Sequence, residues 1–325
     1  ARLYLGLASM VLLAALLMIG TQAGFTFSGL KDFMASGREL AHAELIGALL
    51  IAGFGTLISL FPFHSWAAPA YASAPAPVAM MHAGVLKKFG LYGLFMFQPL
   101  METGFLPWTN ILLVLLVCNV IWVGYVTVNQ KRLDLLLGNS SVMHMGYIFL
   151  AFAALVVSGS AEANPWALKG AALLMLAHGL TIALLFLLCG QIEKQTGTLE
   201  INSLGGLSTR LPRMAFVFGL AGMASIGLPG LANFPGEFMV FFSGFAGFGN
   251  GFGPVQIATI LCLWGLVIGA VYMLRAYRNI FQGDLSKASA YATGLQPSER
   301  AANCFLVIAL AVFGFFPTLV LQFFS

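Results

Sequence analysis

Residues 60–78 read LFPFHSWAAPAYASAPAPV and place four prolines inside an otherwise apolar stretch. Proline has no backbone N–H and clashes with the preceding helical turn, so the stretch predicts a helix break. A second stretch, GLPGLANFPGEF at residues 227–238, predicts another break. Irregular backbone at membrane depth is tolerated where protein or a water-filled cavity surrounds it. The two stretches therefore predict two broken membrane helices.

The composition predicts an all-α polytopic membrane protein. Of the 325 residues, 60% are hydrophobic and only 8% are charged, which lies outside the usual range of soluble domains. Stretches long enough to cross a bilayer contain about 17–25 apolar residues. The nine candidate spans are 3–20, 44–63, 77–98, 108–128, 136–158, 167–191, 213–247, 255–280 and 302–323.

The positions of the two breaks predict an inverted repeat. They fall in the second and seventh candidate spans, and this odd offset gives the two units opposite orientations in the membrane. Paired interruptions of this kind are typical of transporters. We expect residues 1–98 to hold the last three helices of a first five-helix repeat, 108–280 a complete second repeat, and 281–325 a loop and the last span. The two missing helices would belong to a preceding segment or to another chain.

The basic residues predict the orientation. Ten of them fall on one side of the predicted membrane: Arg2, Lys131, Arg132, Lys194, Arg210, Arg213, Arg275, Arg278, Lys287 and Arg300. By the positive-inside rule, residue 1 is cytoplasmic and residue 325 periplasmic in a bacterial inner membrane. The basic residues form no patch for nucleic acid. The four cysteines lie in four different spans without CxxC pairing, which argues against a metal site.

Few ionisable residues lie inside the spans, and four of them are predicted near mid-depth: Lys88, His144, His178 and Glu237. A charge at the bilayer centre costs about 2.5–3.5 kcal/mol on insertion scales, so such residues usually mark ion pathways. Histidine titrates close to neutral pH. For a lone histidine, the alternative is a buried ring bonded to a carbonyl. The row predicts proton transfer along the membrane plane, with His64 beside the first break.

The stretch HAGVLKKFGLYG at 82–93 contains two adjacent lysines. Neighbouring residues on a helix point about 100° apart, so only one of them can face the row. We assign that position to Lys88 and expect Lys87 to snorkel or to pair elsewhere.

Six motifs occur in a familiar order: FPFHSW, AGVLKKFGLYGL, SSVMHMGYIFL, MLAHGLTIALLFLLCGQ, GGLSTRLP and GLPGLANFPGEF. Together they resemble the antiporter-like subunit M of respiratory complex I, the proton-pumping NADH:quinone oxidoreductase. The resemblance covers nearly the whole chain. The run APAPVAMMHAG is also similar to hydrogenase-linked and Mrp-type relatives.

The resemblance implies a role for each candidate residue. Lys88 matches the central lysine of the proton path, His144 and His178 match the histidines leading to the second half-channel, and Glu237 matches the terminal acid. His64 matches the histidine of the first break. No cofactor is expected on this chain, whereas FMN, iron–sulfur clusters and quinone are expected on partner subunits. Expected partners are other antiporter-like and small membrane subunits, a lateral helix from a neighbouring subunit, and lipids.

Three departures from the family pattern keep alternatives open. Leu57 stands where the family has a lysine, the glutamate that pairs with that lysine belongs to an earlier helix, and a cytoplasmic charge pattern is replaced by Arg132, Asp134 and Leu135. The alternatives are a monovalent cation/proton antiporter, a membrane subunit of a hydrogenase or inorganic-carbon uptake complex, and a structural paralogue that does not pump.

Overall fold

The computed structural model describes residues 1–246 and 251–324, and all helices and turns in that part pack into one helical bundle without strands. The α-helices are α1 Arg2–Ala23, α2 Phe27–Ala35, α3 Ala43–Ile58, α4 Ala67–Ala72, α5 Ala76–Met81, α6 Lys87–Met96, α7 Thr109–Val128, α8 Leu133–Ser158, α9 Pro165–Thr196, α10 Pro212–Ser225, α11 Asn233–Gly244, α12 Pro254–Phe281, α13 Pro297–Phe315 and α14 Thr318–Leu321. The π-turn His82–Leu86 joins α5 to α6. The all-helical prediction is confirmed.

Six stretches in the described part are long and apolar enough to cross a membrane, namely α1, Gln98–Val128, α8, α9, α12 and α13. The other three predicted spans correspond to shorter pieces. These are the 16-residue α3, the rod formed by α5, the π-turn and α6, and the pair α10 and α11. The number of membrane crossings therefore remains a prediction.

Side chains from neighbouring segments stabilise the irregular backbone of the first break. α3 stops before Ser59, which has a left-handed backbone with φ of 70°. Asn119 of α7 accepts a hydrogen bond from the Phe61 N–H and donates one to the Ser59 carbonyl at 3.2 Å. The Trp66 indole N–H donates to the Thr56 carbonyl at 3.0 Å. Backbone groups freed by the break thus find protein partners, as burial requires.

The second break is shorter than predicted. It covers residues 226–232, whereas the sequence motif suggested 227–238. Pro235 lies in the first turn of α11, where the backbone N–H has no intrahelical acceptor and proline does no harm. Glu237 consequently lies on a helix and not in the irregular segment.

α8 is the central helix of the bundle. It packs against α4, α7, α9, α11 and α12, and 94% of its most apolar stretch is buried. A helix that is apolar on all sides is expected in such a position. Gly138 and Gly146 allow close approach, to Ala68 of α4 and to Val120 of α7. The central helix also carries the first histidine of the candidate site.

Candidate functional site

The structure brings the two predicted histidines into direct contact. His144 of α8 and His178 of α9 stack with ring centroids 5.0 Å apart and an interplanar angle of 21°. Both side chains are buried. The Ser141 hydroxyl lies 3.3 Å from His178 Nε2.

His144 makes two hydrogen bonds to carbonyl oxygens. Its Nδ1 lies 2.8 Å from the Ser140 carbonyl, and its Nε2 lies 2.9 Å from the Ser225 carbonyl at the end of α10. A carbonyl oxygen only accepts, and a neutral imidazole has only one N–H. Both bonds therefore form together only when the ring carries a proton on each nitrogen. A protonated ring would satisfy both carbonyl oxygens, whereas a neutral ring donates to only one of them.

Lys88 lies where the lysine-bearing rod approaches α9. Its ammonium donates to the Ala83 carbonyl across the π-turn, and π-turns of this kind often occur at functional sites. The rod contacts α9 through two glycines, since a Cβ atom on Gly179 would lie 2.7 Å from the Gly84 carbonyl oxygen. His178 directly precedes Gly179 on α9. The close glycine contact thus places Lys88 beside α9, in a groove that Gly84 and Phe89 of the rod share with Gly179.

Glu237 lies against the second break. Its side chain is 3% exposed, and Oε1 has no hydrogen-bond partner among the described residues. A Cβ atom on Gly227 would overlap the Glu237 carboxylate. Gly227 lies two residues after Ser225, and the Ser225 carbonyl is the hydrogen-bond partner of His144 Nε2. The irregular segment therefore joins the histidine to the carboxylate.

Three uncharged polar residues near this group, Tyr147, Asn233 and Thr181, were not predicted from the sequence. Tyr147 is buried, and its ring packs edge-on against His144 at 5.6 Å. Asn233 accepts a hydrogen bond from the Thr181 hydroxyl at 2.9 Å. The Tyr147 hydroxyl and Asn233 Nδ2 have no partner in the described part of the chain. Helical spacing could have indicated all three, because each lies three or four residues from a predicted site residue.

His64 is not part of this group, and Lys87 does not snorkel. The His64 ring stacks on Phe61 at the first break, with centroids 5.3 Å apart. The Lys87 side chain is fully buried, and its ammonium lies 5.8 Å from the centroid of the Tyr71 ring. Of the two alternatives expected for Lys87, snorkelling and a partner elsewhere, the contact with Tyr71 agrees with the second.

The described part of the chain is an all-helical bundle in which two broken helices lie beside buried protonatable side chains, an arrangement that can be compared with antiporter-like membrane proteins. A sequence model described as NADH:quinone oxidoreductase/Mrp antiporter, transmembrane, matches residues 1–261. The chain belongs to this family, and the resemblance drawn from the six motifs is confirmed.

Similar proteins carry the name NAD(P)H-quinone oxidoreductase chain 4. The protein from Synechococcus elongatus is 36% identical over 330 residues, which cover 98% of this chain and 59% of the relative. The protein from Microcystis aeruginosa is 34% identical over 314 residues, which cover 93% of this chain and 54% of the relative. The chain thus spans less than two thirds of the length of the relatives it matches.

Solved structures show the same fold. A chain of respiratory complex I from Thermus thermophilus with bound NADH superposes with a TM-score of 0.86 at 26% identity, covering 99% of this chain and 65% of that one. A chain of the Mrp complex from Dietzia sp. gives a TM-score of 0.82 at 18% identity, with 99% and 65% covered. The second similarity concerns the fold alone.

Proposed function

We propose that this chain carries protons across the membrane along Lys88, His178, His144 and Glu237, as a subunit of an NAD(P)H-quinone oxidoreductase of the complex I type. The observation that carries the proposal is the pair of carbonyl hydrogen bonds at His144. A histidine serving only as a packed core residue needs one such bond. A second bond, made when the ring takes up a proton, stabilises a charged intermediate inside the bundle.

The geometry supports an order of transfers. Lys88 passes its proton towards His178, which passes it to the stacked His144 ring. Two positive charges on rings 5.0 Å apart repel. The pair of rings therefore carries one positive charge, from one extra proton, more readily than two. When His144 releases its proton, one of its carbonyl bonds is lost. The proton then moves past the second break to the Glu237 carboxylate.

The orientation in the membrane, the partner subunits and the division of the chain into repeats are part of the same proposal. The chain is an integral membrane protein, and the basic residues at span ends favour a cytoplasmic residue 1 and a periplasmic residue 325 in a bacterial inner membrane. We place FMN, iron–sulfur clusters and quinone on partner subunits, together with further antiporter-like subunits and a lateral helix. The division into 1–98, 108–280 and 281–325 follows the two breaks and belongs to the same proposal. His64 is assigned to the first half of the path.

The test uses the full-length protein in its complex, in inverted membrane vesicles. His144→Gln keeps an N–H donor for one carbonyl but cannot exchange a proton, so NADH-driven proton uptake is expected to fall at least tenfold. The control is His42→Gln, since His42 is exposed and lies at the start of α3, outside the relay. Normal proton uptake by His144→Gln at normal subunit abundance would refute the relay. Uptake that requires sodium would favour the cation/proton antiporter.

A further inference from the structure

A second group of protonatable side chains, two buried and two half-buried, lies at the first break, apart from the row described above. It comprises Lys87 on the rod, His82 in the π-turn, Tyr71 on α4 and His64 in the irregular segment. The Tyr71 and His82 rings pack at a centroid distance of 5.5 Å, and the Lys87 ammonium lies over Tyr71. The His82 ring also packs edge-on against Trp66, with centroids 5.6 Å apart, and the His64 ring stacks on Phe61 in the adjoining irregular segment.

Each member of this group presents a polar atom that the fold leaves unpaired. Lys87 Nζ, His82 Nδ1, Tyr71 Oη and His64 Nδ1 are buried without a hydrogen-bond partner among the described residues. Buried polar atoms are nearly always paired with protein or with ordered water. These four atoms leave hydrogen-bonding capacity that ordered water molecules could satisfy.

The four side chains of this group have no acidic counter-ion nearby in the sequence. The sequence contains neither Asp nor Glu between Glu44 and Glu102. The aromatic face of Tyr71 is therefore the contact that the structure offers to a charged Lys87, and a cation–π contact is weaker than an ion pair with a carboxylate. An amine held in this way can lose its proton readily.

The two adjacent lysines face different parts of the molecule. Gly90 lies one turn beyond Lys87 on the same face, and a Cβ atom there would lie 2.6 Å from Ile58 Cγ1, at the end of α3. Lys87 therefore points towards the first break, whereas Lys88 lies beside α9. The adjacent residues Lys87 and Lys88 thus connect the group at the first break with the row described above.

We infer that Lys87, with Tyr71, His82 and His64, forms a proton-loading site that takes protons from water at the first break and delivers them to Lys88. In the loading step, the Nζ lone pair of neutral Lys87 binds a proton from a hydronium ion and leaves water. In the second step, the ammonium gives that proton, through water, to the lone pair of neutral Lys88. Repulsion between the adjacent ammonium groups favours one proton on the pair. The inference rests on the proposed function and extends it.

The test compares three substitutions of Lys87 in the complete complex. Arginine keeps the charge over Tyr71 but does not release a proton, and methionine removes both properties. We expect Lys87→Met and Lys87→Arg each to lower NADH-driven proton uptake at least tenfold at normal subunit abundance, and Lys87→His to recover part of it. A purely structural cation–π contact predicts that Lys87→Arg pumps normally, and this result would overturn the inference.

Two further measurements keep the outcomes separate. If the Lys87 variants fail to assemble, Tyr71→Phe tests the loading site instead. This substitution removes only the hydroxyl and keeps the ring, so it is expected to preserve assembly. We expect proton uptake to fall about threefold, and an unchanged rate would overturn the loading site. Lys88→Met in the same membranes tests the relay itself. Loss of uptake in Lys88→Met together with normal uptake in Lys87→Arg would reject the loading site and leave the proposed function standing.

Discussion

At the scale of single residues, Gly227 is required at the second break for two separate reasons. Its backbone is left-handed, with φ of 79°, a region that costs other residues about 1–2 kcal/mol. Its missing side chain also leaves the space that the Glu237 carboxylate occupies. The conformation of one glycine therefore sets the position of the last proton carrier in the proposed path.

We expect Gly227→Ala to displace the Glu237 carboxylate and to lower proton uptake at least tenfold. Gly37→Ala is the matched control, because Gly37 has a φ of 73° and nothing within 4 Å of its Cβ position. Both substitutions impose backbone strain, but only the first produces the overlap. Proton uptake in vesicles checks the prediction, and equal uptake by the two variants would contradict it.

At the scale of elements, the breaks depend on polar side chains from intact helices. Asn119 on α7 binds the Phe61 N–H and the Ser59 carbonyl. Leaving a buried polar group unpaired costs about 1–3 kcal/mol. The first break is therefore stabilised by a residue that lies about sixty positions further along the chain.

Asn119→Leu is expected to destabilise the subunit by about 2 kcal/mol or more, because two backbone groups lose their partner. Asn129→Leu, on the exposed end of the same helix, should change stability by less than about 0.5 kcal/mol. Thermal inactivation of the purified complex measures both. Similar midpoints for the two variants would show that Asn119 does not support the break.

The helical class and both breaks could be predicted from the sequence, because the length of apolar stretches and the position of prolines act on local structure; the mid-depth position of the charged residues stays a prediction. The partners of the breaks could not be predicted, since Asn119 is an ordinary polar residue until tertiary contacts bring it to Ser59. The end of the second break was misplaced because Pro235 is harmless in a first helical turn. That Lys87 points away from Lys88 was predicted, but its contact with Tyr71 could not be, because that contact depends on what packs against the rod.

At the scale of the whole molecule, the proposed work is divided between two ends of one polar route. The proposed loading site lies at the first break, His144 lies on the central helix with His178 stacked against it, and Glu237 lies on α11 next to the second break. At the periphery, only 22% of the most apolar stretch of α1 and 11% of that of α13 are buried. Both helices offer apolar surface to lipid or to neighbouring subunits.

We expect the full-length protein to be purified with other subunits and not as an active monomer. Tagged protein extracted in mild detergent should bring along FMN and iron–sulfur absorption, as expected for a complex of the complex I type. A tag on an unrelated membrane protein from the same cells serves as the control. Purification of an isolated subunit that transports protons by itself would contradict the proposed assembly.

The most direct test of the relay is proton uptake per NADH oxidised in vesicles that contain Lys88→Met or Glu237→Gln. Neutral side chains are easier to bury than charges, so both variants should assemble at normal abundance. Lys31→Met and Glu102→Gln, at exposed positions, are the controls. We expect proton uptake to fall at least tenfold in both relay variants, more severely for Lys88→Met, while the controls pump normally. Normal uptake per NADH in both relay variants, at normal abundance, would contradict the account.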